Sequence, residues 1–192
     1  MTRTATRTAV IVVALCSWAC GSSSGRATTP RTFRSTTYGY SIELPSGWSA
    51  VGAKEGLRDN EAPVTGLPVT DIFARRATRR IRQLTLPALV VGAQHVSPTE
   101  SLQSWTARVI TLVGRFKGCP APAATERTTL GGHDAALLTY PNCPAGQHLY
   151  HLWTVAVVAG RGFQFVWFNT PGSEVQDRLV LDRMLRSASF SK

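Results

Sequence analysis

Tyr38-Gly-Tyr-Ser-Ile-Glu-Leu-Pro-Ser-Gly-Trp48 is the stretch on which the fold reading turns. Tyr40, Ile42 and Leu44 alternate with Ser41 and Glu43, the period-2 pattern of a strand with one buried face. Tyr38-Gly39 makes a turn, and before it Thr32-Phe-Arg-Ser-Thr36 reads as a partner strand. Pro45-Ser-Gly-Trp48 then breaks the pattern. The domain therefore opens with an antiparallel hairpin and a tryptophan.

Toward the C-terminus, Val69–Ala74 and Leu86–Ala93 read as strands. Ser97-Pro98-Thr99-Glu100 has the form of a capping box with proline at the first helical position. Leu102, Trp105, Val109, Leu112 and Val113 follow on one helical face. Ala124–Leu130, Gly131-Gly132 and His133–Tyr140 form a hairpin signal. Leu149–Ala159 and Phe163–Phe168 flank a Gly160-Arg161-Gly162 turn. Phe163, Phe165 and Trp167 face one way, and Val166 and Phe168 the other, so both sheet faces require cover. Ser173–Gln176 reads as a second capping box, with Val175, Leu179, Val180, Met184 and Leu185 giving a broad apolar face. The class is α+β: an antiparallel β-sheet with helices packed on it. One domain spans residues 33–192, with no internal repeat or second linker.

The Tyr38–Trp48 stretch resembles the opening hairpin of the Mog1/PsbP-like superfamily. Leu130-Gly-Gly-His-Asp-Ala-Ala, the run Gly162-Phe-Gln-Phe-Val-Trp and the final helix running to Ser189-Phe190 are also similar in order. Over residues 33 to 190 the chain looks most like actinobacterial lipoproteins of the LpqN/LpqT type. The resemblance implies an α/β/α sandwich, no shared catalytic residues, and a role in binding or assembly, with envelope lipid handling proposed for some relatives.

The N-terminal end agrees. Arg3 and Arg7 precede the apolar run Ala9–Ala19, and Cys20 follows. Eleven residues make roughly 16 Å of helix, too short for a bilayer core of about 30 Å. The run reads as an export signal over residues 1–19. Ala19-Cys20 resembles a lipoprotein cleavage site, which makes Cys20 the acylated (palmitate-bearing) N-terminus and the cell membrane's outer face the address. Ser17 and Trp18 depart from the usual pattern, and plain secretion is the alternative. Residues 20–32 are polar and aperiodic, a tether.

After the signal, Cys119 and Cys143 remain besides the anchor. In an exported chain such a pair suggests a disulfide, and the hairpin about Gly131-Gly132 brings the two nearly opposite each other. A 25-residue loop so closed is worth roughly 3.5 kcal/mol in the chain-entropy picture. Two buried thiols are the alternative.

The chain has no Gly-x-Ser-x-Gly elbow, phosphate loop, His-Glu-x-x-His or dinucleotide fingerprint. His148 and His151 sit three apart, which on a strand points them to opposite faces. His133-Asp134 belongs to a turn. No cofactor, metal or catalytic residue is therefore expected. The formal charge is +10. Setting aside Arg3 and Arg7 leaves 19 basic against 11 acidic residues, about +8. Arg75, Arg76, Arg79, Arg80 and Arg82 crowd one connection, expected exposed: either a solvated loop or a contact to anionic lipid headgroups. The export address argues against nucleic acid. Trp48, Trp105, Trp153 and Trp167 are spaced as core residues, with an aromatic cavity as the alternative. The expectation is a non-enzymatic envelope lipoprotein binding a lipid, glycolipid or envelope protein. Its rivals are a protein-only assembly factor and an enzyme with an unrecognised site.

Overall fold

The computed structural model describes residues 31–63, 68–80, 83–143 and 149–191. Cys20, the signal, Arg82 and His148 lie outside the described residues.

Seven antiparallel strands form the main sheet: β3 (Ser49–Val51), β4 (Asp71–Ala74), β5 (Ala88–His95), β6 (Ala124–Leu130), β7 (His133–Cys143), β8 (Leu149–Val158) and β9 (Arg161–Asn169). Their order is β3-β4-β5-β9-β8-β7-β6. The opening hairpin, β1 (Arg31–Ser35) and β2 (Tyr40–Leu44), does not join it. It pairs with the terminal β10 (Ser189–Phe190) in a separate three-stranded sheet, Ser189 opposite Ser41 and Phe190 opposite Tyr40. β1 begins at Arg31, so pairing takes in Arg31 and Thr32 of the segment expected as tether.

Both faces of the main sheet are covered, as the two-sided apolar pattern of β9 requires. On one face α1 (Leu102–Lys117) seats Trp105, Val109 and Val113 against Val155, Val166 and Leu138. On the other, α2 (Glu174–Ser187) and the small sheet enclose Leu181, Met184, Tyr40, Phe165 and Trp167. Gly162 lets α1 approach: a Cβ there would lie 2.6–2.8 Å from the Trp105 ring, whose Nε1 donates to the Phe163 carbonyl at 3.1 Å.

α1 starts later than the sequence reading, and α2 starts at the expected Ser173 but without the expected side-chain cap. α1 is capped by Ser101, not Ser97. The Ser101 hydroxyl accepts from the Ser104 amide at 3.0 Å, and the Ser104 hydroxyl accepts from the Ser101 amide at 3.1 Å. The Glu100 carboxylate accepts instead from the Ser104 hydroxyl and Arg108.

In α2 the expected box is absent. The Ser173 hydroxyl donates instead to the Thr170 carbonyl and to Asp177, each at 2.9 Å. Asp177 is buried and also accepts from Asn169 at 2.8 Å. Fixing Asp177 inward turns Leu181, Met184 and Leu185 to the core. Val175 and Leu179, expected on the apolar face, are left 80% and 67% exposed.

The last hairpin turns at Ala159-Gly160, both at positive φ (48° and 72°), and Arg161 and Gly162 already belong to β9. The β6–β7 hairpin turns at Gly131-Gly132, as read from the sequence, with Leu130 opposite His133. A disulfide joins Cys119, just past α1, to Cys143 at the end of β7, with Cα atoms 4.9 Å apart.

Candidate functional site: an apolar pocket with a basic rim

The turn between β2 and β3 and the flank of α2 that carries Val180, Arg183 and Met184 enclose a pocket of about 340 Å³. Leu44, Pro45 and Trp48 supply one wall and Val180 and Met184 the other. Alternation in β2 buries Leu44 with Ile42 and Tyr40. Pro45 ends the strand, and the turn closes by a bond from the Trp48 amide to the Pro45 carbonyl at 3.1 Å. Trp48 is held flat against Trp167, ring centroids 5.5 Å apart and planes 22° apart. Arg31, Arg183 and Glu43 line the pocket as well, two cations against one carboxylate. This is a small concave apolar site with a few charged groups at its rim, the general form of a ligand pocket.

The arginine-rich connection begins beside it. Ser49 pairs with Ala74, so the next residue outward on each strand is Trp48 on one and Arg75 on the other. The connection folds back over β3, with the Ala77 amide donating to the Ser49 hydroxyl at 3.0 Å. Arg75, Arg76 and Arg80 are exposed, as expected. Arg79 is not: it is half-buried and donates to the Gly52 carbonyl, tying the connection to the chain after β3. The expectation that this whole segment is free of the fold therefore fails at Arg79.

Behind this end lies a buried polar cluster that the sequence reading missed. Asp71, on the otherwise apolar β4, is 1% exposed. Its carboxylate accepts from the Tyr40 hydroxyl at 2.9 Å and the Ala53 amide at 2.6 Å. Burial raises the Asp71 carboxyl above its ordinary value of 3.8, opposed by bonds from Ser35, Ala53 and Tyr40 and by the Arg79 charge. Burial, with the Asp71 charge, also pushes the Tyr38 and Tyr40 hydroxyls upward. The Tyr38 hydroxyl donates to the Val69 carbonyl. Asp71 is thus engaged in joining the two sheets. The signal for it was an acid in the middle of Val69-Thr-Asp-Ile-Phe-Ala74.

A second concavity, about 730 Å³, is an open groove between α1 and the edge strand β6. Leu102, Ala107, Ile110 and Ala136 give it an apolar floor, and Arg127 and Asp134 stand along it. His133 packs edge-on against Phe190, and His151 is buried edge-on against Phe168 at 4.8 Å. Among the described residues, no group of three His, Cys, Asp or Glu could hold a metal ion, and no helix is long and apolar enough to cross a membrane. Trp105, Trp153 and Trp167 are fully buried in the core, and Trp48 borders the pocket.

No family model matches the sequence, and no curated protein sequence matches it. Solved structures do. The cyanobacterial PsbP (CyanoP) of Synechocystis sp. PCC 6803 superposes with a TM-score of 0.55 at 16% identity, covering 90% of this chain and 99% of that one. LpqN, involved in cell envelope biogenesis of Mycobacterium tuberculosis, superposes with a TM-score of 0.50 at 11% identity, covering 87% of this chain and 88% of that one. The chain has the Mog1/PsbP-like fold. The Ran-binding protein Mog1p of Saccharomyces cerevisiae also matches, with a TM-score of 0.47 at 10% identity over 84% of this chain and 95% of that one. At such identities the Mog1/PsbP-like likeness is one of fold.

Proposed function

We propose that this protein is a non-enzymatic cell-envelope lipoprotein, anchored through Cys20, that binds an anionic amphiphile in the pocket between α2 and the β2–β3 turn. The observation that carries this reading is the pocket itself. Leu44, Pro45, Trp48, Val180 and Met184 offer an apolar lining, and Arg31 and Arg183 offer charge at the rim. An acyl chain on the apolar walls with a phosphate or carboxylate at the two guanidiniums meets both requirements. Exposed Arg75, opposite Trp48 one step beyond the Ser49–Ala74 pair, and Arg76 after it add to the positive field. Catalysis finds no support at this pocket, whose titratable side chains are Arg31, Glu43 and Arg183, while the perturbed carboxyl of Asp71 is engaged inside the fold.

Native mass spectrometry of the protein taken from its own membranes tests this. The expected result is a co-purifying anionic lipid or glycolipid, lost in Val180→Trp, which fills the pocket from the α2 side. A protein without lipid, or equal lipid in Val180→Trp, overturns the reading.

A second reading is favoured by one feature. β6 is the outer strand of the main sheet, and it borders the α1 groove. An extended segment of an envelope protein could pair with that edge and place side chains in the groove. Cross-linking from β6 positions to a discrete envelope protein, in a Val180→Trp background, would support it.

A further inference from the structure

We infer that the outward face of α2 is a membrane-resting surface, laying Val175 and Leu179 into an anionic lipid bilayer with Arg183 and Arg186 against its headgroups. The inference rests on the anchoring reading above and adds an orientation to it. The buried side of α2 is complete without these residues, consisting of Asp177, Leu181, Met184 and Leu185. Val175 and Leu179 are the exposed large hydrophobics among the described residues, at 80% and 67%. They stand four residues apart, and exposed Arg183 and Arg186 continue the spacing at four and three. At 3.6 residues per turn these four side chains form one strip. Asp182, three residues after Leu179 and four before Arg186, stands in the same strip, its carboxylate bonded to Arg178 at 3.0 Å. A strip of apolar side chains interspersed with arginine is the composition of a helix that lies in a lipid interface.

Size and charge select the occupant. Two side chains are far too little apolar area for a stable protein interface, which buries about 1,200–2,000 Å². A second copy docked about a twofold axis would gather four guanidiniums, two from each chain, into one small interface. An anionic bilayer accepts both features, because each guanidinium meets a headgroup while the apolar pair sinks between them.

The path of the chain points the same way. Arg31, the first residue of β1, lines the same pocket as Arg183. Eleven residue steps separate Arg31 from Cys20, a span of at most about 40 Å. Arg31, where the described chain begins, and Arg183 of the strip therefore border the same pocket mouth. With the strip on the bilayer, Arg183 serves both surfaces, and the pocket opens where a lipid leaves the membrane.

The test uses the full chain, processed and lipidated, in vesicles of brominated phosphatidylglycerol. Leu179→Trp places a reporter on the strip, and Gln103→Trp places one on α1 on the opposite face of the sheet. An interfacial helix sinks its apolar side about 5–10 Å into the headgroup boundary, so quenching at position 179 should exceed that at 103 by at least about twofold. Arg183→Gln with Arg186→Gln should erase the difference, whereas Val180→Trp, which blocks the pocket, is left out of this assay and scored only for lipid retention. Vesicle-bound protein with equal quenching at both positions overturns the orientation and leaves anchoring intact. Protein that leaves the vesicle fraction altogether overturns the anchoring reading and this one with it. Concentration-dependent self-association abolished by Leu179→Gln overturns the lipid occupant in favour of a second copy.

Discussion

Tyr40→Phe isolates one hydrogen bond in the buried cluster that joins the two sheets. The phenyl ring keeps its contacts with Phe163 and Phe165, whose centroids lie 6.2 and 5.4 Å away. Only the 2.9 Å bond from the hydroxyl to Asp71 is lost. A hydrogen bond to a charged partner is worth about 1.5–3 kcal/mol, so the variant should lose about 2 kcal/mol at pH 8. The pH dependence follows from the Asp71 carboxyl. Burial raises it above the unfolded value of 3.8. The folded state therefore holds its proton more tightly than the unfolded state, and stability is fullest below the unfolded value and declines as pH rises through the raised one. The Tyr40 bond favours the ionised form. Without it the carboxyl rises further and the decline continues to higher pH. The difference between wild type and variant should thus be small at pH 4 and largest at pH 8. Urea unfolding of a chain begun at residue 21, followed by fluorescence at both pH values, measures it. A difference that is equal at the two pH values, or below about 0.5 kcal/mol at pH 8, would refute the role assigned to Asp71.

The arginine connection should divide in the same assay. Arg76→Gln and Arg80→Gln should stay within about 0.5 kcal/mol of wild type, whereas Arg79→Gln should lose about 1–3 kcal/mol with its bond to Gly52 and its charge beside Asp71. Gly162→Ala should cost about 1–3 kcal/mol, the range for overpacking, because the new methyl meets the Trp105 ring; shortening nothing else, it is read as a shift in the unfolding midpoint. Cys20→Ala should move the protein from the membrane to the soluble fraction on cell fractionation, and unchanged membrane association with a cleaved signal would remove the anchor from the scheme.

The layers of this fold were legible because they rest on periodicity. Alternation in β9 gives both buried faces directly, and Gly131-Gly132 marks a hairpin whose register sets Cys119 near Cys143. The separate small sheet was not legible, since β1 and β2 read as a hairpin whether or not they join the main sheet. What separates them is β10, a two-residue strand too short to carry a period of its own. The helix caps were misread for a local reason: Ser97, Ser101 and Ser104 compete at the start of α1, and at α2 the hydroxyl of the expected cap Ser173 turns to Asp177. The candidate site was legible only in part. Trp48 and the arginines stand out in the sequence, but Val180 and Arg183 reach the pocket through the rotation of α2, which buried Asp177 sets. That same rotation exposes Val175 and Leu179, which helical spacing alone assigns to the core.

Photo-crosslinking in the native envelope tests the central claim most directly. A diazirine-bearing acyl lipid fed to cells, followed by peptide mapping of the protein, should place adducts on residues 44–48 and 180–184, with fewer in Val180→Trp. Adducts concentrated instead along α1 and β6, or none above those on an unrelated envelope protein, would contradict lipid binding at the α2 pocket.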